Sequence, residues 1–158
     1  DLTVGPSDAS YSFYGWMRDG SGGISATAFS SIIYDSTAPS ISSFTINSGD
    51  STTTNTVVSL FISASDSLSE ITAYYASETS TDPSTTATGW VDITSTNSLS
   101  STVIFTLSSP GAAGSFTKTV YLWSKDTLVN VFPSSSDSIT LIVADTTALT
   151  SHTISINS

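Results

Sequence analysis

Tyr14-Gly15-Trp16-Met17-Arg18-Asp19-Gly20 near the N-terminus and Tyr121-Leu122-Trp123-Ser124-Lys125-Asp126-Thr127 far downstream are partial copies of one another, 107 positions apart. Two further pairs follow, each offset by 110: Tyr34-Asp35-Ser36-Thr37-Ala38 with Ala144-Asp145-Thr146-Thr147-Ala148, and Ile46-Asn47-Ser48 with Ile156-Asn157-Ser158. Self-similarity at a near-constant period is the mark of a repeat array. This period is too long for a solenoid and is the size of a small domain. The chain is therefore expected to hold residues 1–37 as the last strands of one unit, 38–147 as a complete unit and 148–158 as the first strand of a third. On that reading it is a window onto a longer polymer of domains, and residues 1–37 and 148–158 need partner strands from elsewhere.

Working outward, the complete unit alternates strand-like runs with turn-rich stretches. Val58, Leu60, Ile62 and Ala64 fall on one face of a strand, and Val57, Ser59, Phe61 and Ser63 on the other. Further runs lie near 41–47, 70–76, 90–94, 102–107, 117–125 and 138–143, separated by Ser48-Gly49-Asp50-Ser51, Asp82-Pro83 and Ser109-Pro110-Gly111. Seven short strands in this span fit an all-β immunoglobulin-like sandwich. Composition agrees: Ser and Thr make up about four residues in ten, far above ordinary usage. Lys and Arg number 3 and Glu is sparse, which disfavours long helices.

The same composition removes several classes of partner. Net charge is −10 and the pI about 4.1. Three cations cannot displace a phosphate counterion atmosphere, so nucleic acid is not an expected ligand, and an anionic membrane surface is excluded on the same ground. No apolar run is long enough to span a bilayer. Absence of Cys fits the cytosol or an exterior that does not rely on disulfides; abundant Ser and Thr with scarce Lys read better as an extracellular surface protein. No Asn-x-Ser/Thr acceptor occurs, so any glycan would be O-linked, on tracts such as Ser51-Thr52-Thr53-Thr54 or Ser134-Ser135-Ser136.

Phe44-Thr45-Ile46-Asn47-Ser48-Gly49, Leu60-Phe61-Ile62-Ser63-Ala64-Ser65-Asp66, Val120-Tyr121-Leu122-Trp123-Ser124-Lys125-Asp126, Asn130 and Asp145-Thr146-Thr147 occur in that order. This set resembles the tandem immunoglobulin-like repeats of large bacterial surface proteins and adhesins. The junction Asp35-Ser36-Thr37-Ala38-Pro39 fits the pattern. Gly23 stands where Asn is usual, Val129 where Gly is usual, and Leu149 where Pro is usual. The resemblance implies a stalk, spacer or filament subunit whose partners are copies of itself, with strand exchange between neighbours as one route. The alternative is an adhesin module that binds a glycan or surface receptor. The resemblance also implies that the Val120/Leu122 side faces the core, leaving the Tyr121/Trp123 side outward.

Candidate sites are few. Trp16 and Trp123, with Tyr14 and Tyr121, are the interface candidates, open to sugar stacking or to packing. Asp19, Asp66, Asp126 and Asp145, together with Asp35, sit at strand ends and junctions, where Ca²⁺ ligation competes with ordinary Asp turn chemistry. Their spacing shows no Asp-x-Asp cluster, and no other cofactor is expected. His152 is the sole His and reads as a strand residue, and Glu70 and Glu78 are the only Glu residues. Gly20-Ser21-Gly22-Gly23 reads as a hairpin turn rather than a phosphate loop, because a strand follows it. No nucleophile is paired with a base, so no enzyme is expected.

Overall fold

The computed structural model describes residue 5 and residues 7–147. The third partial unit expected at 148–158, with His152, lies outside the described residues. Among the described residues ten strands occur and no α-helix: β1 (Ala9–Gly15), β2 (Ala28–Tyr34), β3 (Ser40–Ile46), β4 (Thr52–Thr53), β5 (Val57–Ser65), β6 (Ile71–Ser77), β7 (Val91–Thr96), β8 (Ser98–Thr106), β9 (Gly114–Asp126) and β10 (Ser135–Val143). Each run read from the sequence is a strand here, with the two-residue β4 added.

Strands β3 to β10 form two sheets over one core. The first has the order β3-β5-β8 and the second β4-β10-β9-β6-β7. All pairings are antiparallel except β4 with β10. Side chains from both sheets meet in one buried cluster: Phe44, Ile46, Val58, Leu60 and Ile62 from β3 and β5, and Val120, Leu122 and Ile139 from β9 and β10. Period-2 alternation on β5 creates this face, since Val58, Leu60, Ile62 and Ala64 are all buried. Val58, Leu60 and Ile62 each contribute about 1.5–3 kcal/mol when fully withdrawn from water. The β3–β5 connection is pinned by a run of left-handed residues, Asn47 (φ 47°), Ser48 (φ 60°) and Gly49 (φ 91°). Asn is one of the few residues besides Gly that visit this region, and the Asn47 Oδ1 accepts the amide of Ser59 on the neighbouring β5 at 2.9 Å.

Strands β1 and β2 form a separate two-stranded antiparallel sheet. This hairpin reproduces the β9–β10 hairpin at one constant offset of 107. Tyr14 pairs with Phe29 as Tyr121 pairs with Ser136. The bridge Arg18–Ile24 matches Lys125–Val131. In the turn, the Asp19 amide donates to the Gly23 carbonyl at 2.9 Å and the Asp126 amide to the Asn130 carbonyl at 3.2 Å. Left-handed Gly22 (φ 91°) corresponds to left-handed Val129 (φ 69°). The change of offset to 110 arises after the hairpin: β2 ends at Tyr34, directly before Asp35, while β10 runs on through Ile142 and Val143 before Asp145.

The core-facing side of β9 is as the resemblance implied, with Val120 and Leu122 fully buried. The opposite side is not open, which corrects the expectation for Trp123. Its ring is 1 % exposed. The polar 79–90 segment covers it: Asp82 Oδ1 accepts from Trp123 Nε1 at 3.0 Å, and Tyr75 packs edge-on at 5.7 Å. Trp90 continues the cluster against Tyr75 at 5.6 Å, with Lys125 Nζ 4.6 Å over its ring. A buried Trp needs a partner for its N–H, and Asp82 supplies it.

Candidate metal centre

Three acids that are far apart in sequence end at the same pole of the sandwich. Asp66 follows the last residue of β5, which pairs with the first residue of β3. Asp126 ends β9 opposite Ile71 at the start of β6. Asp35 leaves β2 and leads into β3. One carboxylate oxygen from each lies within 4.8 Å of the others. Asp126 is 1 % exposed, Asp35 is 8 % exposed, and Asp66 is half-buried.

Local turn chemistry orients each carboxylate. Asp66 Oδ1 accepts the Leu68 and Ser69 amides at 2.9 and 2.8 Å. Asp126 Oδ1 accepts the Leu128 and Asn130 amides at 2.8 and 2.9 Å. Asp35 Oδ1 accepts the Thr37 amide at 2.9 Å. Asp35 Oδ2 is then left buried with no hydrogen-bond partner, as is Ser69 Oγ on the Asp66 turn. A buried carboxylate oxygen without a donor is costly. Among the described residues the one ion pair is Lys118–Glu78 at 3.3 Å, so no ammonium or guanidinium neutralises the three acids.

Asn130 ties the cluster together. Its Nδ2 donates to Asp126 Oδ2 at 2.9 Å and to the Asp35 backbone carbonyl at 3.1 Å. The linker after β2 is thereby held to the turn after β9. On its other side the linker is gripped by Asp8, whose carboxylate accepts the Ser36 amide at 2.9 Å, the Ser36 hydroxyl at 2.8 Å and the Thr37 hydroxyl. These bonds, led by the Thr37 hydroxyl, hold the Asp8 carboxyl below its ordinary value.

Convergent carboxylates with a donor-free oxygen are the chemistry of a hard divalent cation. Ca²⁺ takes six to eight oxygens at roughly 2.3–2.6 Å and accepts mono- or bidentate carboxylates with water completing the shell. Of the acids weighed from sequence, the structure brings together Asp35, Asp66 and Asp126. It does not bring Asp19 or Asp145 to them. Asp19 Oδ1 accepts the Ser21 and Gly23 amides at 2.9 and 2.8 Å, and Asp145 Oδ1 accepts the Thr147 amide at 2.8 Å and its hydroxyl. Both are exposed turn residues. The sequence marked Asn130 only as part of the family-like motif, four residues after a strand-end Asp, with no role assigned, and it did not single out Ser69.

The interface candidates divide. Trp16 and Tyr14 are each 60 % exposed on the hairpin, with Trp16 Nε1 donating to Thr27 Oγ1 at 2.7 Å and Tyr14 packed on Phe29 at 5.3 Å. Trp123 is buried, and Tyr121 is half-buried beside it. No protein-family model matches the chain, and a search of curated proteins finds no match.

Proposed function

We propose that this chain is a structural repeat of an extracellular surface fibre, an immunoglobulin-like sandwich joined to its neighbour through a cation-braced linker. The observation that carries the reading is Asp35: a residue of the segment between hairpin and sandwich places its carboxylate beside two carboxylates that belong to the sandwich. A divalent cation there would crosslink the linker to β5 and β9. Without it, three like charges oppose the same approach. Such a joint serves mechanical work, namely spacing, display or polymerisation, rather than catalysis. The repeated hairpin supports the same view, because the last two strands of the sandwich recur ahead of it with register and turn intact. The adhesin alternative loses Trp123 as a stacking platform and retains Trp16.

Immunogold labelling of intact source cells with antibody to the sandwich tests the reading. Label along surface fibres at regular spacing is the expected result. Label confined to the cell interior would reject it.

A further inference from the structure

We propose that the free edge of β8 pairs with β8 of a second copy of this chain, antiparallel, so that two three-stranded sheets become one continuous sheet of six, β3-β5-β8-β8-β5-β3. The pairing follows from the sandwich alone; its consequence, lateral joining of fibres, rests on the fibre reading.

A sheet edge presents unpaired amides and carbonyls, and proteins blunt such edges with short strands, charge, Pro, bulges or a covering element. Three of the four edges of the two sandwich sheets are blunted. β4 is two residues long. β7 carries Asp92, and its register with β6 breaks between Ile71–Thr96 and Ala73–Asp92. β3 shifts register between Ile41 and Ser43, and Asp137 of β10 accepts its Ile46 amide at 2.7 Å. β8 has none of these devices. It runs for nine residues without a charge or a Pro. Its register with β5 is unbroken from Val57–Thr106 to Ser65–Ser98. Among the described residues no other strand pairs with it.

The strand is complementary to itself. Alternate residues from Ser98 to Thr106 are exposed, and Ile104, at 70 %, is the most exposed large apolar side chain among the described residues of the sandwich. Leu99, Val103 and Phe105 point inward and pack on the core, yet stay only half-buried because the sheet ends there. A two-fold axis at Thr102, the middle of the strand, sets Leu99 across from Phe105 and Ser100 across from Ile104. Each Leu99–Phe105 pair then extends the core across the contact, beside a hydrogen-bonded ladder about 30 Å long. No foreign sequence is needed, and an array that holds many such edges adds weak contacts together.

Charge and position permit the contact. A second copy carries the same −10, so two copies repel over most approaches. The β3-β5-β8 sheet is the exception, with no Asp, Glu, Lys or Arg on any of its strands. Asp35 enters the sandwich beside Asp66 and Asp126, whereas β10 ends at Val143 opposite Gly114, at the other end of β9. Chain beyond either pole therefore attaches at a pole. β8 runs between the poles along one side, with Ser98 opposite Ser65 and Thr106 opposite Val57. A contact of one surface with its own copy closes as a dimer, and antiparallel strands set the two chains in opposite directions.

One strand pair buries less than a standard interface of about 1,600 Å², so a dimer of micromolar to millimolar affinity is expected. Sedimentation equilibrium across that range on the full chain, beside Thr102→Lys and Thr102→Asp variants, tests this. Thr102 is exposed, so both variants should melt close to the parent. Like charges directly opposite one another oppose pairing. The parent is expected to dimerise, each variant alone to stay monomeric, and an equimolar mixture of the two to dimerise again. A parent that stays monomeric up to millimolar concentration overturns the proposal and leaves the edge to a foreign strand. Self-association that both variants share with the parent also overturns it, and moves the contact off β8. Surface labelling decides the fibre reading separately. Labelled fibres with a monomeric parent defeat the pairing alone, and interior label with a charge-sensitive dimer defeats the fibre reading alone.

Discussion

Asp35 is the residue whose behaviour separates a cation site from ordinary turn chemistry. Its Oδ1 serves the Thr37 amide, which an Asn at the same position would also serve, while Oδ2 has no donor. Asp35→Asn is therefore expected to act with opposite signs in two buffers. In chelator it removes one of three crowded charges and should raise stability by on the order of 1 kcal/mol. In saturating Ca²⁺ the parent gains about 2.7 kcal/mol when free ion is a hundredfold above Kd, and the variant should lose most of that gain. Thermal unfolding in the two buffers checks both signs. Val129 is a second diagnostic residue. It is a β-branched residue at φ 69°, half exposed, at the position where the first hairpin has Gly22. Strain of this kind costs on the order of 1–3 kcal/mol, partly offset by the greater unfolded-state freedom of Gly. Val129→Gly is expected to stabilise the sandwich by about 1 kcal/mol, measured by denaturant unfolding.

Among elements, β5 and β9 were legible because period-2 alternation is local, and a strand with one buried face must show it. Leu60→Ala on β5 should cost about 2–5 kcal/mol, as a cavity in a core that cannot collapse around it. The outer face of β9 was not legible. Whether Tyr121 and Trp123 meet water depends on where the 79–90 segment lies, and nothing in β9 records that Asp82 approaches Trp123 Nε1. Loop placement also creates the one ion pair among the described residues: Glu78 accepts the Ser108 amide at 2.6 Å and meets Lys118 on β9 at 3.3 Å. Burial pushes the Glu78 carboxyl up, but the Ser108 amide and hydroxyl together with Lys118 outweigh it and leave the carboxyl below its ordinary value of 4.5. A depressed carboxyl contributes stability above its unfolded value and loses it as pH falls through the folded one. The parent should therefore lose stability as pH drops below about 4.5, and Glu78→Gln should flatten that limb. The pair is solvent-accessible, so the effect should shrink in high salt.

For the whole molecule, the all-β two-sheet architecture follows from alternation, composition and turn residues, each of which is read within a few positions. The internal copy was also visible, yet its offset seemed to drift from 107 to 110. The structure shows a constant offset through strand, turn and strand, followed by two extra residues on β10 and Ala144 after it. The carboxylate cluster was hidden for a different reason. Asp35, Asp66 and Asp126 belong to three strand ends that meet only after both sheets close, so no spacing rule on one segment reveals them. The measurement that bears most directly on the braced joint is calorimetric titration of Ca²⁺ into the chain beside Asp35→Asn, Asp126→Asn, Asp19→Asn and Asp145→Asn variants. One saturable site is expected in the parent, lost in the first two variants and kept in the last two. Binding that is absent from the parent, or equal in all five proteins, would contradict it.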